Sequence, residues 1–221
     1  MKQFKHLDTI TAFFVAVLLV SNIASTKITD LGWFVFDAGT LIFPLSYIFG
    51  DILTEVYGYK RSRKVIWLGF GSALFMFVTL MIVGALPPDS QWGLQDSYDA
   101  ILGLTPRIVI ASLIAYFAGE FSNSITLAKM KIKTKEKKLW ARTIGSTLIG
   151  QIFDTALFVL IAFCGVFEPS LVVTIILSNY FFKVGVEILF TPITYKAVAF
   201  LKKSEGVDVY DTETNFNPFK V

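Results

Sequence analysis

The sequence predicts an all-α integral membrane protein with six transmembrane helices, and three observations carry that reading. Hydrophobic residues make up 54% of the 221 and charged residues only 17%, against roughly 45–50% and about 25% in soluble domains. The apolar residues gather in runs near the ~20 that a helix needs to cross ~30 Å of hydrocarbon. With six such runs, every one of the 20 basic residues except Lys27, Arg107 and Lys183 falls on the same side or at its edge, as the bias of cytoplasmic loops towards Lys and Arg requires.

The spans follow in order. The first, residues 8–29, is preceded by Lys2 and Lys5. A cleaved signal peptide would share that start, but no small-x-small cleavage site stands near Ser21–Thr26, and losing a span would put the charge pattern out of register. The second, 40–58, contains Pro44, which should loosen or kink it. Lys60, Arg61, Arg63 and Lys64 form the loop before the third span, 64–86. The fourth, 106–128, opens on Pro106, whose missing N–H suits the first helical position. Lys129, Lys131, Lys133, Lys135, Lys137, Lys138 and Arg142 precede the fifth, 142–165. The sixth, 170–196, opens after Pro169 and carries Pro192 near its end. Lys196, Lys202, Lys203 and Lys220 follow it, while Asp30, Asp37, Asp89, Asp96, Asp99 and Glu168 occupy the opposite loops. Both termini are therefore expected to be cytoplasmic. Residues 1–201 read as the membrane domain and 202–221 as a polar cytoplasmic tail.

Several chemistries lack material. The single cysteine, Cys164, excludes an internal disulfide or a zinc cluster, and the single histidine, His6, excludes His-based metal or triad chemistry. Gly145–Gly150 has the glycine spacing of a phosphate loop, but Gln151-Ile152 replaces its Lys-Ser/Thr. Asp51 and Glu55 lack a second acidic motif to complete a metal site. The net charge of +3 is explained by the basic loops, so nucleic acid is not an expected partner. No cofactor and no enzymatic activity are expected.

The function lies in the ionisable residues inside the spans. A charge in hydrocarbon costs at least ~2.5–3.5 kcal/mol and marks a pathway or binding site by default. Residues three or four apart share a helix face. Such rows are Tyr47, Asp51 and Glu55; Ser112, Tyr116, Glu120 and Asn123; Thr143, Thr147, Gln151 and Asp154; and Asn179, Lys183, Glu187 and Thr191, with Asn22 on the first span. These rows should converge inside the bundle, making a transporter the simplest reading. Lys183 and Glu187, one turn apart, can neutralise each other. Asn123, Gln151 and Asn179 can equally serve as interhelical hydrogen-bond glue. Phe43, Tyr47 and Trp67 are candidate stacking surfaces.

Residues 43–67, FPLSYIFGDILTEVYGYKRSRKVIW, strongly resemble the queuosine precursor transporter family, also called vitamin-uptake-transporter-like. The resemblance continues through SNIASTK at 21–27, GEFSNS at 119–124, LWARTIGSTLIGQIFDT at 139–155 and YDTETNFNPF at 210–219. Glu120 stands where the family pattern as readily has Gln. The resemblance implies a bacterial inner-membrane importer of 7-deazaguanines such as preQ0 and preQ1, feeding queuosine salvage in tRNA. It also implies a fold similar to the substrate-binding subunits of energy-coupling-factor transporters. For such a ligand, Asp51 or Asp154 would accept the donor edge in a two-point, charge-assisted contact. Gln151 and Asn123 would complete the pattern, with Glu120, Tyr47, Phe43 and Asn22 around it. Glu55, Arg142, Lys183 and Glu187 are the expected coupling or gating residues, with Arg142 pairing Glu55 at the cytoplasmic exit. The expected partners are the small molecule, the bilayer, and either a second copy or an energising module. The alternative reading is a binding subunit served by a separate ATP-driven module.

Overall fold

The computed structural model describes residues 4–30, 35–103, 106–134, 137–165 and 168–220, leaving aside the side chains of 28, 30, 35–37 and 106–109. The helices are α1 (Leu7–Ala24), α2 (Pro44–Tyr57), α3 (Tyr59–Gly84), α4 (Gln95–Leu102), α5 (Pro106–Thr134), α6 (Leu139–Phe163) and α7 (Pro169–Glu205). A short hairpin of β1 (Ile28–Asp30) and β2 (Val35–Asp37) and a 3-10 turn at Ala38–Leu41 join α1 to α2. α1, α3, α6 and α7 are each long and apolar enough to cross a membrane. The chain is a helical, multi-pass membrane protein.

Several expected boundaries move, each for a local reason. The first helix stops at Ala24 rather than 29, because residues 28–30 leave to pair with 35–37 in antiparallel register. Pro44 does not kink a helix; it opens α2. Residues 60–64 are not a loop but the first turns of α3, because the chain turns at one residue, Gly58. Its φ of +82° suits glycine, and a Cβ there would lie 2.6 Å from Val209 Cγ1. At the far end α7 continues past 196 to Glu205, with Pro192 inside it.

The 14 residues of α2 reach only about 21 Å. All but Leu45 and Phe49 are buried, because α1, α3, α5 and α7 pack around this helix. Its apolar side chains Ile52, Leu53, Val56 and Tyr57 join Phe14 and Leu18 of α1, Ile66 of α3 and Phe121 of α5 in one core. The outer faces are apolar instead: Phe75, Phe181, Leu189 and Phe200 are exposed, an arrangement that suits lipid.

The α5–α6 contact, the most extensive in the fold, depends on two glycines. A Cβ on Gly119 would lie 2.4 Å from the Tyr47 hydroxyl and 2.7 Å from Asp154 Cβ; one on Gly150 would lie 2.9 Å from Asn123 Cβ. Small residues at this crossing let the polar faces of both helices meet. Gly119→Val should therefore destabilise the protein by about 1–3 kcal/mol through overpacking. Gly71→Ala, where a Cβ meets nothing within 4 Å, should leave thermal unfolding in detergent unchanged. Equal melting temperatures for the two variants would contradict the crossing.

Candidate functional site

The polar rows of α2, α5, α6 and α7 turn inward and meet in two tiers. The inner tier holds Tyr47 and Asp51 of α2, Glu120 and Asn123 of α5, Thr147, Gln151 and Asp154 of α6, and Lys183 and Glu187 of α7, all buried or at the margin of burial. Asp154 and Glu120 lie within electrostatic range of Tyr47, and Glu187, Glu120 and Glu55 within range of Asp51. Phe43 borders the tier: its ring lies 5.9 Å from that of Tyr47 and 4.6 Å from Lys183 Nζ.

Few of these groups satisfy one another. Asn123 Nδ2 donates to Asp51 Oδ1 at 2.7 Å, and Lys183 Nζ to Asp154 Oδ2 at 2.7 Å. That leaves both oxygens of Glu120, both of Glu187, Asp51 Oδ2, Asn123 Oδ1 and the Tyr47 and Thr147 hydroxyls buried without a hydrogen-bond partner among the described residues. Ser46 lies beside Glu120, but its hydroxyl donates to the Phe43 carbonyl (2.7 Å). Buried polar atoms are nearly always paired, so this concentration of idle acceptors at the centre is chemically poised for a ligand rich in N–H donors.

Not every residue makes the contact expected of it. Lys183 pairs with Asp154 on α6, not with Glu187 one turn along its own helix; a neighbouring helix offered the better geometry. Asn22 is half-buried on α1 and its amide donates to Leu18 O of that helix (3.0 Å). Gln151 accepts from Thr155 within α6 at a long 3.4 Å. Trp67 is no free stacking surface: Phe70, Phe117, Phe121 and Phe219 pack on its ring, and its indole N–H donates to the Pro218 carbonyl (2.8 Å). Thr147 was visible only as one member of a stripe. Gly119 and Gly150, which open space for the tier, carry no polar signal.

The outer tier is an ion network around Glu55. Arg142 clamps the carboxylate through Nε (3.1 Å) and Nη2 (2.7 Å), the expected pair in the two-point geometry that strengthens such contacts. Lys202 of α7 donates to Glu55 Oε1 (2.9 Å), and Lys131 of α5 to the Glu55 carbonyl (2.5 Å). Beyond α7 the chain contributes Asp208, which accepts from both Lys131 and Lys202. One buried acid thus ties α2, α5, α6 and α7 together at this end. The polar composition of residues 207–219 does not signal their return to the bundle.

The model of a family described as "Putative vitamin uptake transporter" matches residues 37–197. A "Probable queuosine precursor transporter" of Bacillus subtilis (strain 168) is 28% identical over 84% of the chain and 81% of its own length. One of the same name from Haemophilus influenzae is 26% identical over 76% and 70%. The "Queuosine precursor transporter" of Escherichia coli (strain K12) is 24% identical over 86% and 84%. No solved structure matches.

Two outcomes test this geometry. Lys183→Met alone should strand Asp154 as an unpaired buried charge and cost about 3–5 kcal/mol, and adding Asp154→Leu should recover most of it. Equal thermal stabilities of the single and double variants would contradict the pair. The second concerns Asp208. Burial pushes its carboxyl up, but the hydrogen bonds and charges of Lys131 and Lys202 outweigh burial and hold it below the usual carboxylate range. A depressed folded value contributes stability above the unfolded value of about 3.9, which is lost as pH falls through the folded one. Protection of the 207–219 amides against hydrogen exchange, taken relative to the intrinsic rate at each pH, should therefore persist from about pH 5 to 8 and fall only below about pH 4. Loosening in the neutral range would contradict the pairing.

Proposed function

This chain belongs to the vitamin uptake transporter family, and on that premise we propose that it imports 7-deazaguanine precursors of queuosine, preQ0 and preQ1, across a bacterial inner membrane for salvage into tRNA. The observation that carries the reading is the inner tier of buried, idle acceptors on α2, α5, α6 and α7. A guanine-like edge presents adjacent N–H donors that one carboxylate accepts at two points. Asp154 is engaged by Lys183 and one oxygen of Asp51 by Asn123, whereas both oxygens of Glu120 have no hydrogen-bond partner among the described residues. Glu120 is therefore assigned the donor edge, with Asp51 Oδ2 beside it. Asn123, Thr147 and Gln151 read the remaining ring heteroatoms, and Phe43 and Tyr47 cover a face.

In this reading α1, α2, α3, α5, α6 and α7 are the six crossing elements, with both termini cytoplasmic. The Lys and Arg distribution supports that orientation. The Glu55–Arg142 network then closes the cytoplasmic end beneath the substrate. A second reading, a binding subunit served by a separate ATP-driven module, draws on Ala12 and Ala16. They lie on the exposed face of α1, where small residues allow close helix docking. Transport by the purified chain reconstituted alone separates the two readings.

Calorimetric titration of the purified protein with preQ0 and preQ1 tests the substrate assignment. Wild type should bind at least one of them, and Glu120→Leu, which removes both side-chain acceptors and has its thermal unfolding intact, should bind about 10–100-fold more weakly, whereas Glu120→Gln, the other residue of the family pattern, should keep much of the affinity. No binding by wild type would overturn the substrate; full affinity in Glu120→Leu would overturn the role of Glu120.

A further inference from the structure

The segment after α7 is polar in composition, yet it is not a free tail. It crosses the Gly58 turn, where Val209 packs over the glycine and the Asp211 carboxylate accepts the Tyr59 N–H (2.9 Å), one of the unpaired donors at the start of α3. It then follows α3: Arg63 donates to the carbonyls of Asn215 (2.9 Å) and Asn217 (2.8 Å), one helical turn before Trp67 meets Pro218. The same segment supplies Asp208 to the outer ion network. It therefore touches, at one end of the bundle, both the single-residue turn between α2 and α3 and the charges that tie α5 and α7 to α2.

The charges explain what Asp208 does there. Without it, Lys131, Arg142 and Lys202 would surround one carboxylate. Lys202 and Lys131 would then compete for the same Glu55 oxygen, which they approach to 2.9 and 3.7 Å. Two ammonium groups that close repel each other, and they sit near the ends of α7 and α5. Asp208 accepts from both and removes the conflict. Exposure separates the roles. The side chains of Glu55, Lys131 and Arg142 are 0–1% exposed, whereas those of Lys202 and Asp208 are 22% and 23%. The acid supplied by the tail, with Lys202 beside it, is thus the part of the network that water and salt reach.

We propose that residues 207–219 form a latch that holds this end of the transporter shut, with Asp208 as its electrostatic pin and the Gly58 turn as the joint it locks. When the latch leaves, Lys131 and Lys202 repel, Tyr59 loses its cap, and α3, α5 and α7 part at the end towards which the inner carboxylates would discharge a ligand. The proposal rests on the transporter reading, but its test needs no substrate.

The test is made on the full chain in membrane vesicles, with Cys164→Ser as background and Thr147→Cys in the inner tier as reporter. Labelling of the T147C thiol by a membrane-impermeant maleimide is timed in inside-out and right-side-out vesicles. With the latch intact, labelling from the inside-out face should be slow. D208N, and independently D211N, should speed it several-fold from that face only, D208E should stay slow, and raised salt should mimic D208N in the otherwise unaltered chain. Hydrogen exchange over residues 207–219 reports whether the segment has left. A released segment with unchanged labelling would overturn the proposal, as would equal acceleration from both faces, the mark of general loosening. A segment that stays docked in both D208N and D211N would overturn Asp208 as the pin. Failure to bind 7-deazaguanines would count only against the substrate.

Discussion

Everything in this molecule depends on keeping ionisable groups away from hydrocarbon while leaving some of them unsatisfied. A lipid-facing carboxylate has no water to solvate it, so each polar row on α2, α5, α6 and α7 must turn inward. That requirement explains why the shortest of these helices is the central one. α2 carries Tyr47, Asp51 and Glu55 on successive turns and is covered by its neighbours along nearly its whole length. It also explains the glycines. Gly119 and Gly150 bring α5 and α6 close enough for their polar faces to enclose the same space.

The two tiers solve the same problem in opposite ways. Around Glu55 the charges are answered in full: a guanidinium in two-point contact, two ammonium groups and a second acid. Such a cluster binds helices to one another. One to three turns deeper, Lys183 answers Asp154 and Asn123 answers half of Asp51, and the rest is left open. A buried acceptor without a donor is costly to a structure that does only structural work. Its concentration at the meeting point of four helices is the physical basis for placing a donor-rich substrate there, and in that reading the network around Glu55 would be the barrier on one side of it.

Periodicity made part of this legible. Residues one turn apart share a face, so the rows on four helices, and their inward direction, could be read from the order of residues alone. The Glu55–Arg142 contact was only one of the pairings that spacing allowed, since Lys60 and Arg61 lie within two turns of Glu55 at the same edge. Neighbours across helices were not legible. Lys183 had an acid one turn away in Glu187, yet the structure pairs it with Asp154, because a helical repeat specifies a face and not what stands opposite. The Gly58 turn was hidden because basic residues after an apolar run read as a loop, although α3 absorbs them into its first turns. The return of the C-terminal segment was hidden more deeply. Much of its docking uses main-chain carbonyls of Asn215, Asn217 and Pro218, which any sequence possesses, and its polar composition suggests a solvated extension.

If the inner tier admits a queuosine precursor into the cell, this chain supplies the base that tRNA modification needs. The most direct measurement is queuosine in tRNA from bacteria that can neither make nor import its precursors, supplied with low concentrations of preQ0 or preQ1 and expressing this chain. Queuosine should be restored, and its level should fall towards the empty-vector value with Glu120→Leu at equal membrane abundance. Unmodified tRNA in cells whose membranes contain the folded wild-type protein would contradict the import reading.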